Sequence, residues 1–387
     1  MKWVLSVMLF AVAMASAQRF DERSDKGTID NNVLDEASGI AASHTNANIL
    51  WTHNDSGDKP RLFAMTYDAH VVGEYAIEGA TNRDWEDICI GAGPKDGVQY
   101  IYVGEIGDND AVYDTKSIYR IPEPTVSDEQ NFTQQNISGA VKITFVYPDG
   151  KRDAETLMLD PITKDLYIIS KREDSVRVYR LAYPQSTTSV ITAEYVVSLP
   201  LTYIVAGDIS PDGREILLKN YTNVYYFTRG YKQPLKSALS QQPVIIPYEQ
   251  EPQGEAICFD AKGDGFFTTS ETTPLKIPAH VYYYSRATDM GVLSPTESND
   301  RNVNIDAIYP NPSYKDFTIK FSLQKEGKVS LDVADVKGNT ITLMAERPLQ
   351  RGSHSVQLST SMLSSGTYSA KLKLGKNIVH KEFLVVK

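Results

Sequence analysis

The sequence predicts an all-β protein: a β-propeller followed by a small C-terminal antiparallel β-sandwich. Two observations predict the propeller, namely a five-residue motif that recurs five times between residues 36 and 257 and the strand-like segments that separate its copies. A third observation predicts the sandwich. From residue 308 onward, apolar and polar side chains alternate in short runs between turns.

The recurring motif has its five central residues at Ser38, Glu86, Glu155, Gly207 and Glu255. The centres are 48 to 69 residues apart, which suits one four-stranded blade per copy. Segments rich in aromatic and β-branched residues follow each copy, for example 49–53, 61–67 and 71–77 in the first repeat. We therefore expect each motif to open the first strand of a blade.

Five copies of the motif predict five blades. The fifth repeat lacks a clear fourth strand after Arg286, and residues 28–33, just before the first motif, are expected to supply it. Closing the ring with a strand from the N-terminus removes exposed strand edges. A sixth blade is the alternative, if residues 287–303 contain a degenerate repeat.

The N-terminus has the features of a secretory signal peptide. Residues 1–17 contain a basic residue, an apolar core and small residues before an expected cleavage site at Gln18. No other run reaches the roughly 18 apolar residues that a membrane span requires, so no transmembrane segment is expected. The predicted organisation is then a propeller at 18–286, a linker at 287–304 and a sandwich at 305–387.

The charge of the chain excludes one class of partner. The formal net charge is −10 and the pI is about 5.2, without a long basic run. Nucleic-acid binding requires a clustered basic surface, so it is not expected.

Cys89 and Cys258 are the two cysteines of the chain, and each lies three residues after a motif glutamate. They therefore belong to the first strands of the second and fifth blades, which the first blade separates in a five-blade ring. A disulfide requires Cα atoms within about 7 Å. Both thiols are predicted to be buried and reduced.

The predicted metal site lies at the mouth of the central channel. In a blade, the connection into the first strand and the loop after the second strand lie on the same face, so Glu86, Glu155 and Glu255 should converge there. Crowded carboxylates protonate, bind a cation or stay hydrated. Oxygen ligands without paired cysteines or histidines favour Ca²⁺ over Mg²⁺. Alternatively, each glutamate caps strand hydrogen bonds between blades.

The ends of the second strands supply the predicted substrate-binding residues: Asn54, Glu105, Lys171, Lys219 and Glu271. Asp55 lies on the same rim. Basic side chains beside a cation suit an anionic substrate such as a phosphate or carboxylate. The alternative is that the lysines are counterions of the acidic rim. The sequence assigns no catalytic residue.

The C-terminal residues carry a specific set of landmarks: Tyr309-Pro-Asn-Pro312, Asp335-Val-Lys-Gly-Asn339, Gly366-Thr-Tyr368 and a basic end at Lys387. In this order they resemble the type A C-terminal sorting domain of the type IX secretion system. The resemblance implies a Gram-negative bacterium of the Bacteroidetes group or its relatives, the secretion machinery as partner, and a protein secreted to the cell surface. An ordinary carbohydrate-binding or immunoglobulin-like sandwich is the alternative.

The propeller motifs show a second resemblance, carried by Glu36-Ala-Ser-Gly-Ile-Ala41, Asp84-Trp-Glu-Asp-Ile88, Tyr102-Val-Gly-Glu-Ile-Gly-Asp-Asn109 and Thr269-Ser-Glu271. These stretches resemble SdiA-regulated and phytase-like esterase propellers, which carry Asp-x-Glu-Gly-Ile repeats and bind calcium. Here Asp87, Thr156 and Ala256 replace the glycine that follows the repeat glutamate.

Two functions remain open from the sequence. One is a metal-dependent hydrolase of an ester, phosphoester or lactone. The other is a non-catalytic surface propeller that binds a small molecule, glycan, peptide or protein partner through the same face. The chain has no Gly-x-Ser-x-Gly elbow, His-Glu-x-x-His motif, P-loop or dinucleotide fingerprint, so the corresponding enzyme classes lack support.

Overall fold

The structure is a computed structural model that describes residues 19–230, 232–272, 276–287, 303–309, 313, 315–335, 340–360, 363–364, 366–375 and 377–385. The predicted signal peptide and most of the predicted linker lie outside these residues. The chain divides into two compact units, Met1–Thr288 and Asp289–Lys387. In the described part of the chain, no helix is long and apolar enough to cross a membrane.

The first unit is a five-bladed β-propeller, as the sequence predicts. Blade 1 contains β2 (Ala37–Ala42), β3 (Ile49–Asn54), β4 (Arg61–Thr66), β5 (Val71–Ile77) and the added parallel strand β9 (Thr133–Ile137). Blade 2 contains β6 (Trp85–Ala92), β7 (Gln99–Glu105), β8 (Lys116–Pro122), β10 (Val141–Val146) and the added parallel strand β14 (Ile191–Thr192).

The remaining three blades have four strands each. Blade 3 contains β11 (Ala154–Leu159), β12 (Leu166–Ser170), β13 (Val176–Leu181) and β15 (Glu194–Leu199). Blade 4 contains β16 (Ala206–Ile209), β17 (Glu215–Lys219), β18 (Val224–Thr228) and β19 (Val244–Ile246), with the short helix α1 (Leu235–Leu239) before β19. Blade 5 contains β20 (Ala256–Phe259), β21 (Gly265–Thr269), β22 (His280–Ser285) and β1 (Ser24–Thr28).

The five first strands form a closed inner ring. The inner strands pack side by side in the order β2, β6, β11, β16 and β20, and β20 packs next to β2. The ring thus closes with five blades. Apolar side chains between adjacent sheets hold it together, for example Trp51 and Trp85 between blades 1 and 2.

The N-terminal strand closes blade 5, but it is β1 at Ser24–Thr28 and not residues 28–33. β1 pairs antiparallel with β22, and most of its side chains are exposed. An outermost strand has little to bury, so its sequence lacks the apolar pattern that a strand prediction requires. Phe20 anchors the segment beside it: this side chain is fully buried, and its ring centroid lies 4.9 Å from that of Phe266.

Four of the five motif centres lie at or beside irregular points of the inner strands, whereas Gly207 pairs regularly within β16. The pairing register of β2, β6 and β11 shifts around Ser38, Glu86 and Glu155, and Glu255 directly precedes β20. A β-bulge leaves a residue outside the pairing ladder and re-aims its side chain. The bulges therefore explain how glutamates in inner strands reach the channel mouth.

Two buried aspartates connect neighbouring inner strands. The Asp87 carboxylate accepts hydrogen bonds from the amides of Ile88 and Leu157, both at 2.9 Å, which connects β6 to β11. Asp208 accepts from Ile209 and Phe259, both at 2.8 Å, which connects β16 to β20. These bonds satisfy backbone donors where the blades meet, and they fix the relative heights of the motif glutamates.

The two cysteines fit the predicted arrangement. Cys89 lies in β6 and Cys258 in β20, and both are buried free thiols.

The second unit contains two antiparallel sheets. One has the order β23 (Val303–Tyr309), β24 (Asp316–Leu323), β27 (Gly352–Ser359). The other has the order β26 (Thr340–Leu349), β25 (Gly327–Asp335), β28 (Gly366–Leu374), β29 (Asn377–Val385). Side chains of both sheets, among them Phe317 and Leu331, form one buried core. This is the predicted sandwich.

We predict that Asp208→Asn flattens the pH dependence of propeller stability. Burial raises the pKa of Asp208 to about 7, whereas an unfolded aspartate has about 3.9. The folded protein therefore binds more protons between these pH values, and its stability falls as pH rises through this window. Without this carboxyl group, the free energy of unfolding should fall less steeply with pH, by at most about 1.4 kcal/mol per pH unit.

Urea unfolding with EDTA at several pH values between 4 and 7 measures this slope. The exposed Asp174→Asn variant is the control and should keep the slope of the unmodified protein. If the unfolding free energy of Asp208→Asn falls with pH as steeply as that of the unmodified protein, Asp208 is not the proton-binding group.

Candidate functional site

Seven carboxylic side chains surround the channel on the face that carries the connections into the first strands. We call this opening the channel mouth. It is lined by Asp55, Asp84, Glu86, Asp153, Glu155, Glu255 and Glu271. Glu36 lies at its edge, near enough to raise the pKa values of Asp55 and Glu271. Asp84 and Asp153 end the connections into β6 and β11, whereas Asp55 and Glu271 follow the second strands of their blades.

Two overlapping groups of three carboxylates could each hold a metal ion. Asp55, Asp84 and Glu86 each offer an oxygen atom within 4.8 Å of the others, and so do Glu86, Asp153 and Glu155. Glu86 belongs to both groups and is only 5% exposed. It is therefore the central carboxylate of the mouth.

The group of Asp55, Asp84 and Glu86, which we call the first triad, has no internal counterion. Within the described parts of the chain, no lysine or arginine forms an ion pair with these three side chains. The Oδ1 atom of Asp55 is buried without a hydrogen-bond partner among the same residues. Burial, followed by the charges of Asp84 and Glu255, raises the pKa of Asp55 to about 7. Burial and the charge of Glu155 raise the pKa of Glu86 well above its usual value.

Gly107 gives the first triad its space. A Cβ atom at this position would lie 2.0 Å from Oε1 of Glu86 and 2.6 Å from Oδ2 of Asp84. Both carboxylates thus lie directly against the backbone at residue 107, where any side chain would displace them. Below the same loop, Lys116 donates to the Gly107 carbonyl at 3.1 Å and pairs with Asp108 at 2.9 Å.

Glu155 and Glu255 have an ammonium group between them. Lys171 donates through Nζ to Glu155 and to the Tyr221 hydroxyl, the latter at 3.0 Å, and its Nζ lies 4.0 Å from Oε1 of Glu255. The Tyr221 hydroxyl in turn donates to Glu255. Burial opposes a charge on Lys171, but the two carboxylates outweigh it and raise its pKa, so Lys171 is a cation. Oε2 of Glu155 stays buried without a partner among the described residues.

Glu271 lies beside Glu255. Its amide donates to the Gln253 carbonyl at 3.1 Å, which holds the end of blade 5 against the connection into β20. Burial, together with the charges of Glu255 and Asp55, raises the pKa of Glu271 to about 9. Its carboxyl group therefore carries a proton near neutral pH.

The predicted metal ligands thus separate into two settings. Glu86 lies with two aspartates that have no counterion, whereas Glu155 and Glu255 share Lys171. Asp153, which joins Glu86 and Glu155, already accepts from the Asp108 amide at 2.8 Å and from Nε of Arg172 at 2.6 Å. Of the two groups, only the first triad forms no ion pair with a lysine or arginine of the described residues. Burial raises the pKa of Asp84, and the charges of Lys116 and Arg83 oppose that rise from a longer distance.

Three of the predicted substrate-binding residues are occupied by internal contacts. Asn54 accepts from the Glu36 amide and donates to Val33 and Asp58. Glu105 accepts from Thr81 at 2.9 Å and from the Arg83 amide at 3.2 Å.

Lys219 is the third. It is fully buried, donates to the Gly254 carbonyl and lies 4.7 Å from the centroid of the Tyr248 ring. Burial lowers the pKa of Lys219 to about 8. A ligand at the mouth cannot touch it, so its role is to hold the connection that ends at Glu255. Lys171 and Glu271 are the two predicted residues that lie among the carboxylates.

Sequence reasoning missed Asp84, Asp153 and Tyr221. The two aspartates open the second and third motifs, two residues before the central glutamate, so the Asp-x-Glu spacing was the available signal. Tyr221 lies in the turn between β17 and β18, and nothing in the sequence distinguishes it from the other 22 tyrosines.

Two clefts of about 610 and 890 Å³ lie on the opposite face of the propeller. The smaller is between blades 3 and 4, beside Ile162 and Leu235; the larger is between blades 5 and 1, beside Tyr67 and Tyr283. Neither contains any of the seven carboxylates, so they are separate from the channel mouth.

Comparisons with known proteins identify the C-terminal unit. Residues 307–387 match the family described as "Secretion system C-terminal sorting domain". No curated protein sequence matches the chain.

Among solved structures, the chain is similar to a fungal alcohol oxidase in complex with copper, with 9% identity, a TM-score of 0.32, and coverage of 90% of this chain and 85% of that one. An auxiliary nutrient binding protein from Bacteroides thetaiotaomicron is 10% identical, with a TM-score of 0.35 and coverage of 80% of this chain and 57% of that one. The PQQ domain of pyranose dehydrogenase from Coprinopsis cinerea is 9% identical, with a TM-score of 0.38 and coverage of 64% of this chain and 81% of that one. Such similarity says nothing about ligand or activity.

The resemblance of residues 308–387 to a type IX sorting domain is thereby confirmed. A chain that carries this domain is secreted by the type IX system, and the protein is a secreted or cell-surface β-propeller.

Proposed function

We propose that the propeller is a calcium-dependent hydrolase that acts on an ester, phosphoester or lactone at the channel mouth. One observation carries the proposal: the first triad brings three carboxylates together without an ion pair to a lysine or arginine of the described residues, beside a buried ammonium group and a protonated glutamic acid. The resemblance of the motifs to calcium-binding esterase propellers is consistent with it.

The donor atoms suit calcium. The first triad offers only carboxylate oxygens, and Ca²⁺ accepts six to eight oxygen ligands with flexible geometry. Three side chains leave coordination positions open for water or a substrate. When bound, such a cation would compensate the acidic charge and polarise a carbonyl or phosphoryl oxygen.

The chain's own residues would supply charge and protons. Lys171 is held as a cation by Glu155 and Glu255, so its ammonium group can stabilise negative charge that develops on a substrate oxygen. Glu271 carries a proton at its carboxyl group near neutral pH and can donate it to a leaving oxygen. Gly107 leaves the space that the carboxylates of Glu86 and Asp84 occupy in the first triad.

The test is a panel of esters, phosphoesters and lactones assayed with calcium and with EDTA. We expect turnover of one class in calcium only, with Glu271→Gln lowering kcat by about 10²-fold or more as expected for a lost general acid. If no member of the panel is hydrolysed, the protein is not a hydrolase of these bonds.

A non-catalytic binding function is the second candidate. Exposed apolar side chains on the same face, including Val112 and Tyr203 at 55% and 48% exposure, favour it. Calcium-dependent binding of a ligand that remains unchanged would identify this function.

We predict that calcium stabilises the protein through Glu86. A ligand that binds only the folded state stabilises it by about 2.7 kcal/mol at a concentration of 100 Kd. Calorimetry should show a higher Tm in calcium than in EDTA, and Glu86→Gln should abolish the shift because Glu86 is the central ligand. In EDTA, Glu86→Gln should be at least as stable as the unmodified protein, because the raised pKa of Glu86 already favours a neutral side chain there and glutamine keeps it neutral.

Glu129→Gln is the matched control for this experiment, since Glu129 is an exposed acid on the opposite face. It should keep the full calcium shift. Equal melting curves with calcium and with EDTA in the unmodified protein would exclude the cation site.

We predict a large cost for removing Lys171. Lys171→Met leaves Glu155 and Glu255 buried without their ammonium partner, which should destabilise the propeller by about 3–5 kcal/mol near neutral pH. The loss should shrink as pH falls, because Glu155, whose pKa burial raises well above its usual value, can then protonate. Chemical unfolding in EDTA measures it.

Lys151→Met is the comparison variant. Lys151 pairs at 3.0 Å with the exposed Asp114, and such surface pairs contribute about 0–1 kcal/mol. Equal losses for the two variants would show that Lys171 does not compensate the buried acids.

We predict that deleting residues 305–387 abolishes delivery to the cell surface and leaves the melting of the propeller nearly unchanged. Each compact unit has its own buried core, so the propeller does not need the sandwich in order to fold. Surface proteomics in the native host measures delivery, and calorimetry of the purified proteins measures folding. Surface delivery of the shortened protein would show that the sandwich is dispensable for export.

A further inference from the structure

A group of exposed apolar side chains accompanies the channel mouth. Among the described residues, five large apolar side chains of the loops on this face are 42–55% exposed: Val33, Val112, Tyr113, Tyr203 and Ile277. Single exposed apolar residues are common on protein surfaces. These five, out of ten large exposed apolar side chains among the described residues, surround an acidic opening, as the apolar lining of a ligand site does.

Tyr203 is held in a conformation that costs free energy. Its φ angle is +52°, in the left-handed region that residues other than glycine, asparagine and aspartate rarely adopt. Its amide donates to the Lys171 carbonyl at 2.8 Å, and the following residues, Ile204 and Val205, are buried. The loop is thus fixed on both sides of an aromatic ring that remains half exposed. Such backbone strain is concentrated at functional sites.

Arg172 is near enough to Tyr203 for the two side chains to interact electrostatically, and it is next in sequence to Lys171, which anchors the Tyr203 amide. Its Nε donates to Asp153 and its Nη2 to Asn109, which orients the guanidinium plane. Nη1 forms no hydrogen bond with the described part of the chain, and the side chain is 41% exposed. An oriented guanidinium with a free donor edge binds phosphate or carboxylate oxygens well.

We propose that Tyr203 and Arg172 form a subsite for an aryl group bonded to a phosphate-type or carboxylate anion. The flat ring of the ligand stacks on Tyr203, and its anionic group contacts Nη1 of Arg172 on the side of the mouth. The assignment deepens the proposed function, on which it rests, because it names the class of molecule that the same opening accepts.

The geometry favours an aryl ligand over an aliphatic one. A half-exposed tyrosine ring offers a flat face, and stacking of two aromatic rings adds binding beyond the area that they bury. The arginine is joined to Asp153, a member of the mouth, so an anion at Nη1 lies beside the carboxylates that the cation would neutralise. The cation and the guanidinium would then share one anionic group.

Isothermal titration with two matched phosphonates tests the proposal. Phenylphosphonate and methylphosphonate carry the same charged group and neither contains a hydrolysable ester bond, so their difference reports the aryl contact. In calcium, the unmodified protein should bind phenylphosphonate about three- to tenfold more tightly than methylphosphonate, as aromatic stacking predicts. Benzoate and acetate form the corresponding carboxylate pair and identify the preferred anion.

Tyr203→Asn is the informative variant, because asparagine tolerates a positive φ and lacks the ring. It should bind methylphosphonate as the unmodified protein does but lose the preference for phenylphosphonate, whereas Tyr203→Phe should retain the preference. Arg172→Met should weaken both phosphonates. Tyr195→Ala is the matched control, since Tyr195 is 47% exposed and lies beside the cleft on the opposite face, and it should change nothing.

The two proposals fail in different ways. If the unmodified protein binds both members of each pair equally, or if Tyr203→Asn keeps the aryl preference, the subsite is overturned while the cation site stands. If neither phosphonates nor carboxylates bind in calcium, the anion-binding mouth is overturned and the subsite with it. In that case, a higher Tm in calcium than in EDTA would still show that the cation site exists.

Discussion

The constraint on which the rest of the structure depends is the concentration of negative charge at one end of the ring. Seven carboxyl groups meet there, and among the described residues only Lys171 and Arg172 form ion pairs with them. Buried carboxylates without compensation are costly, so each must find a partner, a proton or a cation. Glu155, Glu255 and Asp153 have the two basic side chains, and Glu271 keeps a proton. The first triad has no ion pair with a lysine or arginine of the described residues, so Asp55 and Glu86, whose pKa values are raised, depend on protons or on a cation.

The fold brings the carboxyl groups together at the channel mouth and keeps them there despite their repulsion. The bulges of β6 and β11 place glutamates at the start of inner strands, and the Asp87 and Asp208 carboxylates connect neighbouring blades just below them. The closed ring, completed by β1, prevents the acidic loops from moving apart. An opening whose charges repel but cannot separate is predisposed to bind a cation. This connects the structural role of the motif to the proposed chemistry.

The sequence predicted the five blades, the N-terminal closure and the sandwich, because repeats and alternating patterns report directly on strands. It was less informative about the ends of strands. Asn54, the last residue of β3, forms internal hydrogen bonds, whereas Asp55, the first residue of the following loop, joins the first triad. Lys219 has the same sequence position in its blade as Lys171 but lies under a connection that covers it completely. Such differences depend on tertiary contacts that no local pattern encodes.

The central claim is that a hard divalent cation occupies the first triad, and anomalous diffraction from crystals grown with calcium tests it most directly. The account predicts an anomalous difference peak with oxygen atoms of Asp55, Asp84 and Glu86 at about 2.3–2.6 Å, the usual calcium–oxygen distance. No peak at saturating calcium, or a peak away from Glu86, would contradict it.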